Sequence, residues 1–564
     1  MRVKLFLMVA LSVLLGSFVI QPSAAAQENP TPKDSVPGAQ PAGTAPSGPP
    51  TAQAPTHFDG NSWWNDVKVL ADDKTEGRHT GSRGERKAQN YVVKTFSAAG
   101  LEPAGTNGFY QPVKFTSRQL VLSKSSVELV RDGKNTPLNV PQDALLGTNV
   151  DVSREPVEAP LVFVGYGLRI PEQNYDDFAG LDLKGKIVVY FSGSPADVPA
   201  ALSAHYQSTL ERWKAIRETG AIGMVRLLNP ASMDLPWARI SGNVGRPRLT
   251  LADPEFDETA GAKVSLVVNP AKAAELFSAS SNSYDDIVAA GKKREALPKF
   301  PLNISLKAHV VFRQKAVMSR NIVAKLPGTD PALRNEYIVF SAHLDHLGVG
   351  APINGDKIYN GAMDNGSGVA LLMDIANSLK KTQEKLRRSV LFLAVTGEEE
   401  GLLGSKYFAA HPTVDRKSII ADINADMFLP IVPLKMVEVQ GLDESDLGDD
   451  VREVAGREGV KVEPDPEPLR NAFIRSDQYS FIRQGVPSIV LDVGYEKDSP
   501  EQQTFKQWRM QRYHAPSDDT KQPVDLKTAA EVEEIYRDLL LKVADLDTKP
   551  HWKANSFFRR FAAP

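Results

Sequence analysis

Between residues 337 and 493 the chain repeats one polarity pattern, a short and nearly continuous apolar run followed by a helical face. Tyr337 to Ala342, Ser389 to Val395, Ser418 to Ile423 and Ser488 to Val493 are such runs, as expected of strands buried on both faces of a parallel-rich sheet. Between and after them apolar side chains return at three- and four-residue spacing. Val369, Leu372, Met373, Ala376 and Leu379 make one stripe, and Ala529, Val532, Ile535, Leu539 and Val543 another. The pattern predicts an α/β fold, a mixed and largely parallel sheet with helices on both faces. A further helical stripe runs through Ala88, Tyr91, Val92, Phe96 and Ala99, and Gly100 supplies its stop.

From about Val127 to Leu302 the texture changes to short strand-like runs broken by glycine and proline, such as Leu161 to Tyr166 and Lys186 to Tyr190. Leu210, Trp213 and Ile216 form one helical stripe before Gly220, and Ala221 to Leu228 reads as a strand. This block is expected to be a mostly-β domain of its own. No repeat of fixed period runs through the chain.

The N-terminus is different again. Arg2 and Lys4 precede an apolar run from Leu5 to Ile20, and Ala24, Ala25 and Ala26 supply small residues for cleavage; residues 1–26 read as an export signal. Residues 27–56 are rich in Pro and Ala with hardly a large apolar side chain, which predicts a disordered tether. Folded structure is expected to begin near Trp63.

Composition narrows the chemistry. With 564 residues, 42% hydrophobic and 24% charged, the chain can bury a substantial core. Its 66 basic and 69 acidic side chains give a net charge of −3, so there is no basic field for nucleic acid. There is no cysteine. That removes thiol nucleophiles, disulfide frameworks and thiolate zinc sites together, and any metal must be held by nitrogen and oxygen. An exported chain without disulfides fits a bacterial periplasm or a secreted fraction.

In α/β sheets ligands bind beyond the carboxyl ends of the strands, and there this chain places its unusual residues. The first run leads into His343-Leu344-Asp345-His346, the second into Thr396-Gly397-Glu398-Glu399-Glu400, and the third into Asn424-Ala425-Asp426-Met427. Gly361 to Gly368 sets Asp364 just ahead of a helix, and Tyr513-His514 stands near the end. Singly, each has an ordinary reading as a surface residue, a solvated acidic run or a helix cap. Together, two imidazoles and several carboxylates at successive sheet ends are the donors that zinc or manganese uses in a two-metal site.

The ordered motifs H-x-D, a lone Asp before N-G-S-G, E-E-x-G-L-x-G-S, N-x-D-M and Y-H-x-P-x-D resemble the M28 family of co-catalytic zinc exopeptidases, the Streptomyces and Vibrio type aminopeptidases. The likeness covers about 320 to 545, and Thr75 to Ser82 resembles the family's N-terminal part. It implies the zinc exopeptidase fold and two zinc ions per chain. His343 and Asp426 would hold one ion, Glu399 and His514 the other, and Asp364 would bridge them. Glu398 would be the general base and acid, Asp345 the carboxylate that orients His343, and Tyr513 the phenol that steadies the tetrahedral intermediate. The implied activity is aminopeptidase action on peptide substrates. A carboxypeptidase or glutaminyl cyclase-like enzyme of the same fold is the alternative, and a receptor-like homologue without activity a weaker one.

Gly165-Tyr166-Gly167, Tyr175 to Phe178 and Leu183 to Val188 resemble a protease-associated domain inserted into such a peptidase. The expected organisation is therefore a signal at 1–26, a linker at 27–56, an N-terminal peptidase part at 57–126, the insert at 127–305, the catalytic domain at 306–548 and a tail at 549–564. Three departures from the family stand out. Gln478 follows Asp477 where many relatives have histidine, so both are candidates for substrate contact; Met363 stands at a position often acidic; and His346 is assigned a structural or rim role and not direct catalysis. Nucleic acid and stable membrane association are not expected.

Overall fold

The computed structural model describes residues 57–562 apart from 152, 234, 468 and 469. The export signal and the tether expected over 1–56 lie outside the described residues.

Four parallel strands form the centre of a ten-stranded sheet, in the order Ser389–Val395, Tyr337–His343, Ile419–Asn424 and Ser488–Val493. Every residue of Ser389–Val395 and Ile419–Asn424 is buried, which is why these segments carry no polar alternation. Successive side chains enter opposite faces. Val390, Phe392 and Ala394 pack with Phe340, Leu372 and Leu539 on one face, while Leu391, Leu393 and Val395 meet Phe408 and Phe481 on the other. Helices Arg83–Ala98, Ser367–Thr382 and Leu526–Asp545 cover the first face, and Leu403–Ala410 and Gln478–Ile482 the second.

Parallel pairing is confined almost entirely to that centre. Phe312–Leu326 lies antiparallel against Ser389–Val395, Tyr110–Leu120 antiparallel against Phe312–Leu326, and Met436–Gln440 antiparallel against Ser488–Val493. The helix expected from Ala88 begins at Arg83, where the Ser82 hydroxyl accepts the Glu85 amide at 3.0 Å.

Tyr110–Leu120 and Phe312–Leu326 pair in unbroken register from Tyr110 opposite Ile322 to Leu120 opposite Phe312. This two-stranded arm carries the chain out to a second sheet of eight strands and back. That sheet also has a parallel centre, Val157–Phe163, Ile187–Phe191, Gly223–Leu227 and Val264–Val268. The region read as mostly β carries helices on both of its faces. Trp213 and Ile216 of Thr209–Glu218 pack on Val188 and Tyr190, and Leu276 and Ile287 of Pro270–Phe277 and Tyr284–Lys293 pack on Val189 and Val225. The stripe expected through Leu210, Trp213 and Ile216 is the helix Thr209–Glu218, whereas Pro270–Phe277 and Tyr284–Lys293, ten residues or shorter, are too short for a period to stand out among glycine and proline. One strand from this region, Arg248–Leu251, returns to the edge of the first sheet beside Tyr110–Leu120.

The C-terminal segment docks on the body. Trp552 and Phe558 are buried against Tyr479 and Ile482, and the Trp552 indole donates to the Gly485 carbonyl at 2.9 Å.

Candidate metal centre

The ends of the parallel strands converge. His343 closes the strand Tyr337–His343, Glu398 and Glu399 follow Ser389–Val395 after a two-residue turn, and Asp426 lies two residues past Ile419–Asn424. Asp364 arrives on the loop that leads into Ser367–Thr382, and His514 on the turn after Pro500–Gln511. The five residues expected as metal ligands lie together, and so does Glu398.

Asp364 stands in the middle. Its Oδ1 is 3.4 Å from Nε2 of His343, and its Oδ2 is 3.2 Å from Nε2 of His514. Beside His343, Asp426 Oδ1 lies at 3.3 Å and Glu398 Oε2 at 3.9 Å. Beside His514, Glu399 Oε2 lies at 3.2 Å. Donor atoms of His343, Asp364 and Asp426 fall within 4.8 Å of one another, and so do those of His346, Asp364 and Glu399.

Charge separates the two glutamates. Burial pushes the Glu398 carboxyl well above its ordinary value, with Glu399 and Asp477 adding repulsion against the pull of His343. Burial also works to raise Glu399, but His514 and His346 outweigh it and hold the group well below the carboxylate range. Burial works to lower His514, yet Glu399 and Asp364 raise it to about 10. The same contest leaves His343 well above its ordinary value through Asp426 and Glu398. Nε2 of His346 is buried without a hydrogen-bond partner. Buried imidazole nitrogens and carboxylate oxygens with unused lone pairs are a donor set that fits borderline divalent cations such as zinc.

Three placements differ from expectation. Nδ1 of His343 meets the main-chain carbonyl of Asp345 at 3.1 Å, not its carboxylate. That carboxylate turns to the neighbouring strand end, where it accepts the amides of Glu398 at 3.0 Å and Glu399 at 3.4 Å and the Thr80 hydroxyl at 3.2 Å. Asp345 thus holds the turn that presents both glutamates. His346, expected in a structural or rim role, is not at the rim: it is 1% exposed, and its Nδ1 lies 2.6 Å from Glu399 Oε1; the chain leaves the strand at Leu344, so strand alternation no longer tells where it points. Asp477 and Gln478 are fully buried. Gln478 joins Asn424 and the Phe473 carbonyl, and Arg475 and Ser476 line the cavity instead.

Two supporting residues were not singled out by the sequence reading. The buried Arg78 guanidinium donates to the carbonyls of Leu70, Leu344, Asn360 and Gly361, clamping the loops that carry Asp345 and Asp364. Asp518 accepts the amides of Met363 and Asp364, both at 3.0 Å. Arg78 sits inside Thr75 to Ser82 and Asp518 closes the Y-H-x-P-x-D motif, and that membership was the available signal. A cavity of about 150 Å³ opens beside the cluster, lined by Met427, Tyr513 and His514 and also by Glu438, Asp492 and Arg509. Tyr513 stacks on His514 with ring centroids 3.9 Å apart.

A mixed α/β sheet with imidazoles and carboxylates converging at its parallel strand ends defines a metal-binding protein of the exopeptidase type of fold. Residues 321–540 match the model of Peptidase family M28. The "probable leucine aminopeptidase 2" of Aspergillus oryzae is 29% identical over 228 residues, 38% of this chain and 43% of the relative. Aminopeptidase Y of Saccharomyces cerevisiae is 27% identical over 217 residues, 36% of this chain and 34% of the relative. The chain therefore spans less than half the length of these curated relatives. Among solved structures, an aminopeptidase from Aneurinibacillus sp. strain AM-1 aligns over 86% of this chain and 93% of its own with a TM-score of 0.53 and 20% identity, a likeness of fold. No helix among the described residues is long and apolar enough to cross a membrane.

Proposed function

We propose that the chain is an exported aminopeptidase with two zinc ions per chain, removing residues from the amino end of peptides. The observation that carries this reading is Asp364, whose two oxygens face two separate imidazole sets. His343 and Asp426 would hold one ion, Glu399 and His514 the other, with Asp364 between. When bound, such ions lower the pKa of a shared water and polarise the scissile carbonyl.

The protein's own residues supply the rest. Glu398 takes a proton from the attacking water at its carboxylate and delivers it to the leaving amine, a role worth roughly 10²–10⁴ in rate. Burial and repulsion push this carboxyl up, and nearby cations would draw it back toward neutrality, where one group serves as base and then as acid. The Asp345 carboxylate fixes the amides of Glu398 and Glu399, so the two side chains diverge from a rigid turn. Tyr513 at the cavity wall donates to the developing oxyanion. The second sheet, as a protease-associated insert, steadies the site from outside: Arg239 donates to the carbonyls of Met510 at 2.7 Å and Tyr513 at 3.0 Å, ahead of His514.

The test pairs two dipeptide substrates, one blocked at its amino end and one at its carboxyl end, with and without a chelator, alongside zinc analysis of the purified chain. About two zinc ions and cleavage only when the amine is free support the reading. Cleavage that survives amine blocking moves the assignment to a carboxypeptidase, and a zinc content far below two removes the two-metal mechanism.

A further inference from the structure

A second cavity, of about 530 Å³, lies between the two sheets. It has a marked excess of positive charge. Arg118, Arg212, Arg226, Arg246, Arg248 and Lys406 line it against only two carboxylates, Glu258 and Glu400. Both carboxylates are committed, Glu258 to Lys406 at 2.5 Å and Glu400 to Arg248 at 3.1 Å. Among the described residues, Arg118, Arg212, Arg226 and Arg246 have no carboxylate within ion-pair distance, leaving four uncompensated charges around one space.

Arg212 is the built element. Its side chain comes from Thr209–Glu218, is 6% exposed, and lies over the Tyr190 ring at 4.4 Å. Nη1 donates to the Gln207 carbonyl at 2.8 Å, while Nε and Nη2 are buried with no partner. Arg246 repeats the arrangement: it lies over Tyr359 at 4.4 Å, Nη1 donates to the Leu347 carbonyl at 2.6 Å, and its Nε and Nη2 are likewise buried and unpartnered. Arg226 is fixed by Ser192, whose hydroxyl accepts its Nε at 2.8 Å. Burial pushes the Arg212 guanidinium below its ordinary value against the pull of Tyr190, and the neighbouring Arg226 adds to the lowering. Water can satisfy an N–H but leaves the charge of a buried guanidinium uncompensated, and an oxyanion does both.

We propose that this cavity binds a small organic anion, held through phosphate or carboxylate oxygens by Arg212 and Arg226 together with Arg246. The volume suits a metabolite-sized ligand. Planar guanidinium forks held over tyrosine rings are pre-set for bidentate contact with such groups. The proposal is independent of what the metal centre does.

Calorimetric titration of the zinc-loaded full chain with inorganic phosphate and, separately, succinate tests it, with chloride at matched ionic strength as the control. The expected result is one saturable site per chain for at least one anion; which of the two binds separates a phosphate ligand from a carboxylate one. Arg212→Gln and Arg226→Gln should each weaken that binding at least tenfold while zinc content is unchanged. Arg226 is exposed, so its variant remains informative if the buried Arg212→Gln fails to fold. Absence of binding beyond the chloride control overturns the proposal. So does binding that Arg226→Gln leaves unaltered, which would place the anion on the metal centre.

Discussion

Among the described residues the two large sheets are built the same way, each with four parallel strands at its centre and helices on both faces, and only the first leads its strands into imidazoles and carboxylates. In the first, the parallel strands lead to His343, to Glu398 and Glu399, and to Asp426. In the second, Val157–Phe163 leads to Val164 and Gly165, Ile187–Phe191 to Ser192 and Gly193, and Gly223–Leu227 to Leu228 and Asn229. The architecture offers the same place twice, and the side chains decide whether anything happens there. Charge in the second sheet sits elsewhere, on a helix at Arg212 and within a strand at Arg226, and there it faces the space between the sheets.

The sharpest way to break the contrast is to neutralise one charge at the first sheet's ends. Glu398→Gln preserves shape and should lower kcat by about 10²–10⁴, the range of a lost general base, with zinc content retained on mass spectrometry. Full activity in this variant would mean that the strand ends matter only as metal ligands.

The next largest effect separates the adjacent glutamates. Glu399→Gln removes a carboxylate that His514 and His346 hold ionised, so zinc should fall toward one ion per chain and activity with it. Unchanged zinc would assign that half of the cluster to His346, Asp364 and His514 alone.

A third test uses pH on the metal-stripped protein. His514 is raised to about 10 in the fold from an ordinary value of 6.5. A group raised on folding binds its proton more tightly in the native state, so its stabilisation is complete below pH 6.5 and is lost as pH rises through 10. Each unit of such a shift corresponds to about 1.4 kcal/mol. The melting temperature of the stripped protein should fall from pH 6.5 to 10, and zinc, which binds neutral imidazole, should flatten that slope. An equal slope with zinc bound would show that the shift belongs to groups outside the cluster.

Much of this contrast was legible in the residues. Continuous apolar runs such as Ser389 to Val395 announce a strand buried on both faces, and every residue there is buried. Ligands at strand ends follow, because a carboxylate after an apolar run must find a partner. The direction of Asp345 was not legible, because H-x-D fixes spacing but not which atom of the aspartate turns to the imidazole. Nor was the burial of His346, which depends on loops held by Arg78 from a distant part of the chain. Of the helices on the second sheet, Thr209–Glu218 was legible in Leu210, Trp213 and Ile216, while Pro270–Phe277 and Tyr284–Lys293 were hidden by their shortness.

The smallest expected effect concerns how the two sheets are joined at the site. Arg239, from the region of the second sheet, donates to the carbonyls of Met510 and Tyr513, and the segment it grips carries His514. Arg239→Ala removes charge-assisted hydrogen bonds on a partly exposed surface, each worth about 1.5–3 kcal/mol at most and less where water replaces them. The loss in kcat/KM should therefore be about threefold to thirtyfold. Because the contact reaches main-chain atoms next to a ligand, zinc affinity measured by chelator competition should weaken in parallel. Lower kcat/KM at unchanged zinc affinity would mean that the second sheet acts on substrate entry; a parallel loss would mean that a region with no ionisable strand ends of its own helps to hold the ends that have them.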